Sequence, residues 1–316
     1  MYCACGIVCC NCLETTALCR AVKFIAALTV VVASLAPPVA QAQPLSPLLE
    51  PTTAWNVDYA ESECRLLRSF GRGDQAITLR LARGGNPEAV DVIIAGPGIP
   101  KLAADVSLDM KLDPQGLSQS THAMSMAIPS GGGRFIRWLD AGFSLFDQAA
   151  PNQIVAFSSG KAFSTRLNAT MLRDAMKALD ACYADLLKGW GAGPEDVAIM
   201  VAARSNGSEG SGTVTAQRLD LPTVKGNPAA WVTPMDYPTE ALRKEQNGTV
   251  IVLLEIAGTG RPSACRVVVS SKVESLDTTT CRLLQDRAHY RPPVDAAGQP
   301  RRSIKIERIR WLIPRS

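Results

Sequence analysis

Three segments in the first half of the chain alternate with a period of two. Ile77, Leu79 and Leu81 are separated by Thr78, Arg80 and Ala82. Val106, Leu108, Met110 and Leu112 are separated by Ser107, Asp109 and Lys111, and Met124, Met126 and Ile128 repeat the pattern. Successive side chains on a strand face opposite ways, so each run predicts a half-buried strand with the named apolar residues inward. His122 is read on the face opposite Met124 and Met126, turned to solvent. Gly96-Pro97-Gly98 and the glycines at 131–133 mark turns between strands. The second of these lacks the lysine and Ser/Thr of a phosphate-binding loop.

The period changes over 170–188. Leu172, Met176, Leu179, Cys182 and Leu186 fall on one helical stripe, with Arg173, Lys177, Asp180 and Asp185 mostly off it. Thr170 is the expected N-cap, and Trp190 with the glycines at 189, 191 and 193 the expected stop. The polar, glycine-rich run at 205–213 reads as a connector. Residues 50–204 are therefore expected to form a β-rich α+β domain with one long packed helix, 205–220 a linker, and 221–316 a second domain.

In that second domain Tyr237-Pro238 leads into a short helix over Thr239–Gln246, stopped by Asn247-Gly248. Thr249–Ile256 is a β-branched, apolar run expected to be a buried strand. Gly258-Thr259-Gly260-Arg261-Pro262 forms a hairpin connection to a strand over Cys265–Ser270. Ser275 or Asp277 is expected to cap a second helix carrying Leu276, Thr280, Leu284 and Ala288 on one side. A last strand spans Ser303–Ile313; its apolar alternation shifts phase between Ile306 and Ile309, which predicts a bulge at Glu307-Arg308. The order is αββαβ.

The start of the chain changes the picture. Arg20 and Lys23 precede an apolar run to Val39, followed by the small-x-small site Ala40-Gln41-Ala42. This is the pattern of a secretory signal over residues 1–42, with a mature start near Gln43. Pro37 and Pro38 interrupt the run, which is short of the ~20 apolar residues of a spanning helix. Cys3, Cys5, Cys9, Cys10, Cys12 and Cys19 crowd ahead of it without the Cys-x-x-Cys spacing of zinc sites, and are read as part of the leader. The expected compartment is the periplasm, with membrane attachment only if the signal is retained.

Four cysteines then remain, Cys64, Cys182, Cys265 and Cys281, an even number suited to disulfides in an oxidising compartment. Four cysteines allow three pairings. The chain organisation selects Cys64–Cys182 and Cys265–Cys281, one in each domain.

Candidate chemistry is sparse. A net charge of +4 and an aromatic content of 5% argue against nucleic acid as a partner. Two histidines, His122 and His289, limit acid–base catalysis and metal ligation. The sequence holds no nucleophile elbow, no His-Glu-x-x-His and no dinucleotide fingerprint. Ser158-Ser159-Gly160-Lys161 reads as a polar turn, and Asp58 and Glu61 beside Tyr59 as solvated surface carboxylates. No catalytic residue, cofactor or metal site is expected.

One resemblance is more specific. Tyr237-Pro238, Ala241, Arg243, Gly248-Thr249-Val250, Gly260-Arg261, Val267–Val269, Ser270-Ser271, Leu276-Asp277, Arg287-Ala288, Tyr290, Pro292-Pro293, Gly298 and Pro300 occur in the order and spacing of the TonB C-terminal domain family. The resemblance covers about ninety residues. It implies a non-enzymatic module that binds an envelope protein or peptide segment, such as an outer-membrane receptor segment, by strand addition. Lys305, Arg308 and Arg310 on the last strand are the expected partner-binding residues. In this fold the Cys265/Cys281 pair would join the second strand to the second helix. TonB-type transducers keep a membrane anchor and a long Pro-rich spacer. Here the apolar segment looks cleavable and a globular domain stands in the spacer position. The expectation is a soluble periplasmic adaptor; the alternative is an inner-membrane-anchored energy transducer.

Overall fold

The computed structural model describes residues 46–87, 89–142, 144–203 and 221–313. The expected signal segment, the cysteine-rich start and the linker at 205–220 lie outside the described residues. The expected strands and helices form a mixed α+β structure.

The first region builds a ten-stranded sheet from β1 (Leu48–Leu49), β2 (Asn56–Tyr59), β3 (Cys64–Phe70), β4 (Ile77–Arg83), β5 (Ala89–Gly96), β6 (Asp105–Asp113), β7 (Leu117–Ala127), β8 (Arg134–Gly142), β9 (Ile154–Ser159) and β10 (Phe163–Asn168). Their order is β1-β10-β9-β6-β7-β8-β5-β4-β3-β2. The initial segment touches both ends of this order. Leu48 and Leu49 run parallel to Arg166 and Leu167 of β10, while Pro51 bridges Phe70 of β3. One stretch of chain thus occupies both outer positions, where unpaired N–H and C=O groups would otherwise be exposed.

The alternation of β4 and β6 puts Ile77, Leu79 and Leu81, and Val106, Leu108, Met110 and Leu112, in the core. β7 corrects the sequence reading. Met124 and Met126 are 45% and 52% exposed, and the inward residues are Ala123 and Ser125. The neighbouring strands explain this choice. Ser125 lies opposite the fully buried Ile136 of β8, so the odd positions of β7 continue the inner layer. His122 therefore shares the outer face with both methionines, because positions two apart on a strand point the same way. Alternation identifies the two faces of a strand, and the neighbouring strands decide which face is inside.

After a single turn of helix, α1 (Ser144–Asp147), helix α2 (Leu172–Gly189) packs on the sheet and α3 (Pro194–Ala202) follows. The buried stripe of α2 is Leu172, Ala175, Met176, Leu179, Cys182, Tyr183 and Leu187, with Leu187 in the place expected for Leu186. Thr170 does not cap it. The N-cap is Met171, in the left-handed region with no side-chain cap bond. Thr170 instead offers its carbonyl to Trp55 Nε1 at 2.9 Å and Arg68 Nη1 at 2.7 Å. Cys64 of β3 is bonded to Cys182 of α2, closing a loop of sequence separation 118.

One buried cation links the sheet to both helices. Arg83, at the end of β4, is fully buried. It donates to Asp180 Oδ1 at 2.6 Å and to the carbonyls of Pro87, Met200 and Val201 at 3.2, 2.9 and 2.9 Å. Its guanidinium lies 4.3 Å from the centre of the Tyr183 ring. Met200 and Val201 are in the last turn of α3, whose carbonyls have no intrahelical partner, so Arg83 serves as their cap.

The second region begins with a two-residue strand, β11 (Thr223–Val224), and continues through α4 (Thr239–Arg243), β12 (Gly248–Ile256), β13 (Pro262–Val269), α5 (Glu274–Arg287), β14 (Tyr290–Arg291) and β15 (Ser303–Trp311). β12 is central in the three-stranded order β13-β12-β15. Neither Ser275 nor Asp277 caps α5; the N-cap is Val273 without a side-chain bond. Asp277 instead accepts from the Ser271 amide at 2.9 Å and the hydroxyls of Ser270 and Ser271 at 2.6 and 2.7 Å. The Ser-Ser and Leu-Asp motifs are thus the two halves of one loop-to-helix clasp. Gly260, at φ +82°, passes against the Tyr290 carbonyl, where a side chain would collide.

The bulge expected at Glu307-Arg308 is absent. β15 pairs with β12 in unbroken register from Gly248↔Trp311 to Ile256↔Ser303. The phase shift has another cause. Ile304 and Ile306 pack into the core of the first region, while Ile309 and Trp311 pack with α4, α5 and their surroundings. A sheet covered on both faces shows apolar residues in both phases of a strand. β12 does the same, with Ile251 and Leu253 on one side and Val250, Val252 and Leu254 on the other. An ion pair and a hydrogen bond reinforce the junction. Arg302 reaches Asp196 of α3 at 2.9 Å, and Arg266 donates to the Trp190 carbonyl at 3.2 Å.

A bidentate pair makes the second region sensitive to acid. Arg287 holds both oxygens of Asp236 at 2.7 Å, and the Thr233 hydroxyl donates to the same carboxylate at 2.7 Å. The Arg287 and Thr233 bonds hold the Asp236 carboxyl well below the usual carboxylate range. A depressed pKa stabilises the fold above the unfolded value of about 3.9 and loses that contribution as pH falls further. Asp236→Asn is therefore expected to lower the urea midpoint at pH 7, with the gap to the parent narrowing below about pH 4. A gap that stays constant with pH rules out the ion pair as its source.

Candidate functional site

β15 is the outer strand of the small sheet, and its nine-pair ladder with β12 leaves the opposite side of a regular strand unpaired among the described residues. The other edge differs. β13 meets β12 with register shifts at Ile251/Val252 and Glu255/Ile256, and irregular strands are poor templates for a further strand.

A cleft of about 730 Å³ runs beside β15. One wall carries Lys305, Ile306, Glu307, Arg308 and Arg310; the other carries Glu63, Gly84, Gly85, Asp91 and Arg137 of the first region. Strand alternation divides the three expected partner-binding residues. Arg308 and Arg310 share the face of Ile304 and Ile306 and are exposed, whereas Lys305 falls with Glu307 on the helix side and is half-buried.

The cleft's other charges are engaged. Asp91 binds Arg137 at 2.7 Å, and Glu63 binds Arg80 and Arg65. Glu307 accepts from the Tyr290 hydroxyl at 2.9 Å. Burial raises the Glu307 carboxyl above its ordinary value, with Lys305 opposing the shift. Burial likewise raises the Tyr290 phenol. No local pattern marks the wall formed by Glu63, Asp91 and Arg137, because those residues lie far from β15 along the chain and are joined to it only by packing.

The tyrosine and tryptophan positions around the sheet are structural. Tyr237 donates to the Gln246 carbonyl at 2.5 Å and meets Trp311 edge-on at 5.2 Å. Trp311 Nε1 donates to Thr280 Oγ1 at 2.9 Å. These contacts fix β15 to α4 and α5. Cys265 of β13 is bonded to Cys281 of α5.

Two helices on one face of a three-stranded antiparallel sheet, with one regular edge unpaired among the described residues, define a small αββαβ fold. A model of the family described as Gram-negative bacterial TonB protein C-terminal matches residues 233–312, so this part of the chain is similar to that family. Domains of this family are non-enzymatic modules of bacterial envelope proteins. No curated protein and no solved structure matches the chain. Among the described residues, no helix is long and apolar enough to cross a membrane.

Proposed function

We propose that the protein is a periplasmic adaptor that binds an acidic, extended segment of an envelope partner by adding it as a strand to β15. The observation that carries this reading is the unbroken ladder of β15 beside a cleft into which Arg308 and Arg310 project. Backbone hydrogen bonds along a free edge supply affinity, and side chains alternating to the two faces supply selectivity. The exposed guanidiniums favour carboxylates on the face of the added strand that looks toward the first region. The first region then acts as the second wall of the groove. In this reading the protein carries out no catalysis.

Photo-cross-linking in cells tests the proposal. A benzophenone side chain at Arg310 is expected to capture an extended acidic segment, and one at Ser263 on the β13 edge is not. Arg308→Glu should reduce capture from position 310. Equal capture from both edges, or capture unaffected by charge reversal, overturns strand addition at β15. The intact mass of envelope-extracted protein tests the compartment. A chain beginning at Gln43 is expected, whereas one retaining residues 23–39 replaces the adaptor with an anchored transducer.

A further inference from the structure

The two faces of β15 present different chemistry to the cleft. Arg308 and Arg310 lie on the face turned toward the first region, near Gly84 and Gly85. Lys305 and Glu307 lie on the helix side, and Val224, the register partner of Tyr290, joins them in the lining. Glu307 is half-buried there.

The surroundings of Glu307 hold a negative charge poorly. Its Oε1 accepts from the hydroxyl of the buried Tyr290 at 2.9 Å, a neutral donor. Tyr290 packs against Trp231 at 5.2 Å between ring centres, and Val252 of β12 lies opposite Glu307 in the ladder. The α5 residues buried in the same core include Leu276, Leu283 and Leu284, all apolar. Among the described residues, the charge that acts on Glu307 is the Lys305 ammonium, two positions along the strand. The cleft's other carboxylates differ, since Glu63 and Asp91 are each tied to arginine. Burial favours the neutral acid at Glu307, against the opposing effects of Lys305 and the phenol. Its proton is therefore taken up above the ordinary glutamate value of about 4.3.

An added strand would place every second side chain on this face, about 5 Å from its opposite number on β15. A carboxylate opposite ionised Glu307 destabilises the pairing, because like charges directly across a ladder repel. We infer, on the reading that β15 accepts an added strand, that Glu307 makes the helix side of the groove a pH-dependent selector, which rejects acidic side chains when ionised and admits them when protonated. Acidic side chains turned toward Arg308 and Arg310 are admitted in both states. Lys305 keeps its charge throughout, so the change with pH belongs to Glu307.

The test uses two octapeptides whose acid is cysteic acid, so that the sulfonates stay ionised while Glu307 titrates. One alternates cysteic acid with valine; the other carries cysteic acid at every position. Binding to the full chain is followed by fluorescence anisotropy from about pH 7.5 to about pH 5 at fixed ionic strength, a range above the ordinary glutamate value. The uniformly acidic peptide is expected to bind about threefold more tightly at the lower pH, and the alternating peptide equally at both. Glu307→Gln should bind the uniform peptide tightly at both, whereas a contribution from His122 or His289 would persist in that variant. Tyr290→Phe removes a hydrogen bond that favours the ionised carboxylate and should move the change to higher pH. In the unsubstituted protein, the Glu307 carboxyl carbon-13 signal should titrate above about 4.3, and the uniform peptide should raise its midpoint further, as linkage requires. Equal pH dependence for both peptides, dependence that survives Glu307→Gln, or a midpoint the peptide leaves unmoved overturns the selector and leaves strand addition standing. If neither peptide binds at either pH, strand addition at β15 fails and the selector with it.

Discussion

Replacing Cys64 and Cys182 together by alanine is expected to lower the unfolding free energy by about 4–5 kcal/mol, the larger of the two disulfide effects. In the chain-entropy account, a cross-link stabilises by restricting the unfolded chain, and the restriction grows with loop length. The Cys64–Cys182 loop has a sequence separation of 118, against 16 for Cys265–Cys281. The account gives about 4.7 kcal/mol for a 100-residue loop and about 3 for a 15-residue one. Both pairs tie a strand to the helix packed on it, so the contrast isolates loop length. Urea unfolding of the two double-alanine proteins measures it. An equal or larger loss for the shorter loop would show that unfolded-chain entropy is not what the first disulfide supplies.

Asp180→Ala should cost about 3–5 kcal/mol, because it leaves the guanidinium of Arg83 buried without its carboxylate. Arg83 itself has no exposed surface, while the Asp180 side chain is 20% exposed. The other partners of Arg83 include three backbone carbonyls and the Tyr183 ring. Removing a carboxylate from a fully buried cation costs more than the substituted side chain gains in solvation. The second substitution, Arg83→Met in the Asp180→Ala background, should recover part of the loss, since an apolar side chain of similar length no longer needs a countercharge. Thermal unfolding of the single and double variants checks both statements. If the double variant is less stable than Asp180→Ala by several kcal/mol, the carbonyl caps on α3 outweigh the charge, and the buried cation is not the source of the loss.

Much of the C-terminal domain was legible because its determinants are local. Tyr237-Pro238, Asn247-Gly248 and Gly260-Arg261 lie where turns and helix ends need those residues, and the TonB-type pattern is built from them. The β-rich character of the first region, its long helix and the alternation of β4 and β6 were legible for the same reason. The capping residues were not. Thr170, Ser275 and Asp277 have suitable chemistry, but none of them caps a helix; the Thr170 carbonyl is taken by a distant tryptophan and arginine, and Asp277 by the preceding serine loop. The short helix α3 also went unread, because its importance lies in contacts with Arg83 and Arg302 from remote parts of the chain.

The misreadings of β7 and β15 share one cause. A period of two says that a strand has two faces and does not say what covers each. On β7 the apolar methionines face solvent and the small residues face the core, because Ile136 and its neighbours fill the inner layer. On β15 both faces are covered, one by each region, and the resulting double phase resembles a bulge in the sequence. The sequence by itself determined β4, β6 and β7, the long helix α2, the αββαβ order of the second region and four cysteines available for pairing, since these follow from backbone preference and neighbour spacing. Only the tertiary structure decided which strand faces are buried, that Arg308 and Arg310 separate from Lys305, and that Glu63, Asp91 and Arg137 wall the cleft beside β15. Those outcomes depend on which distant surfaces exclude water from one another, and that is a property of the packed chain.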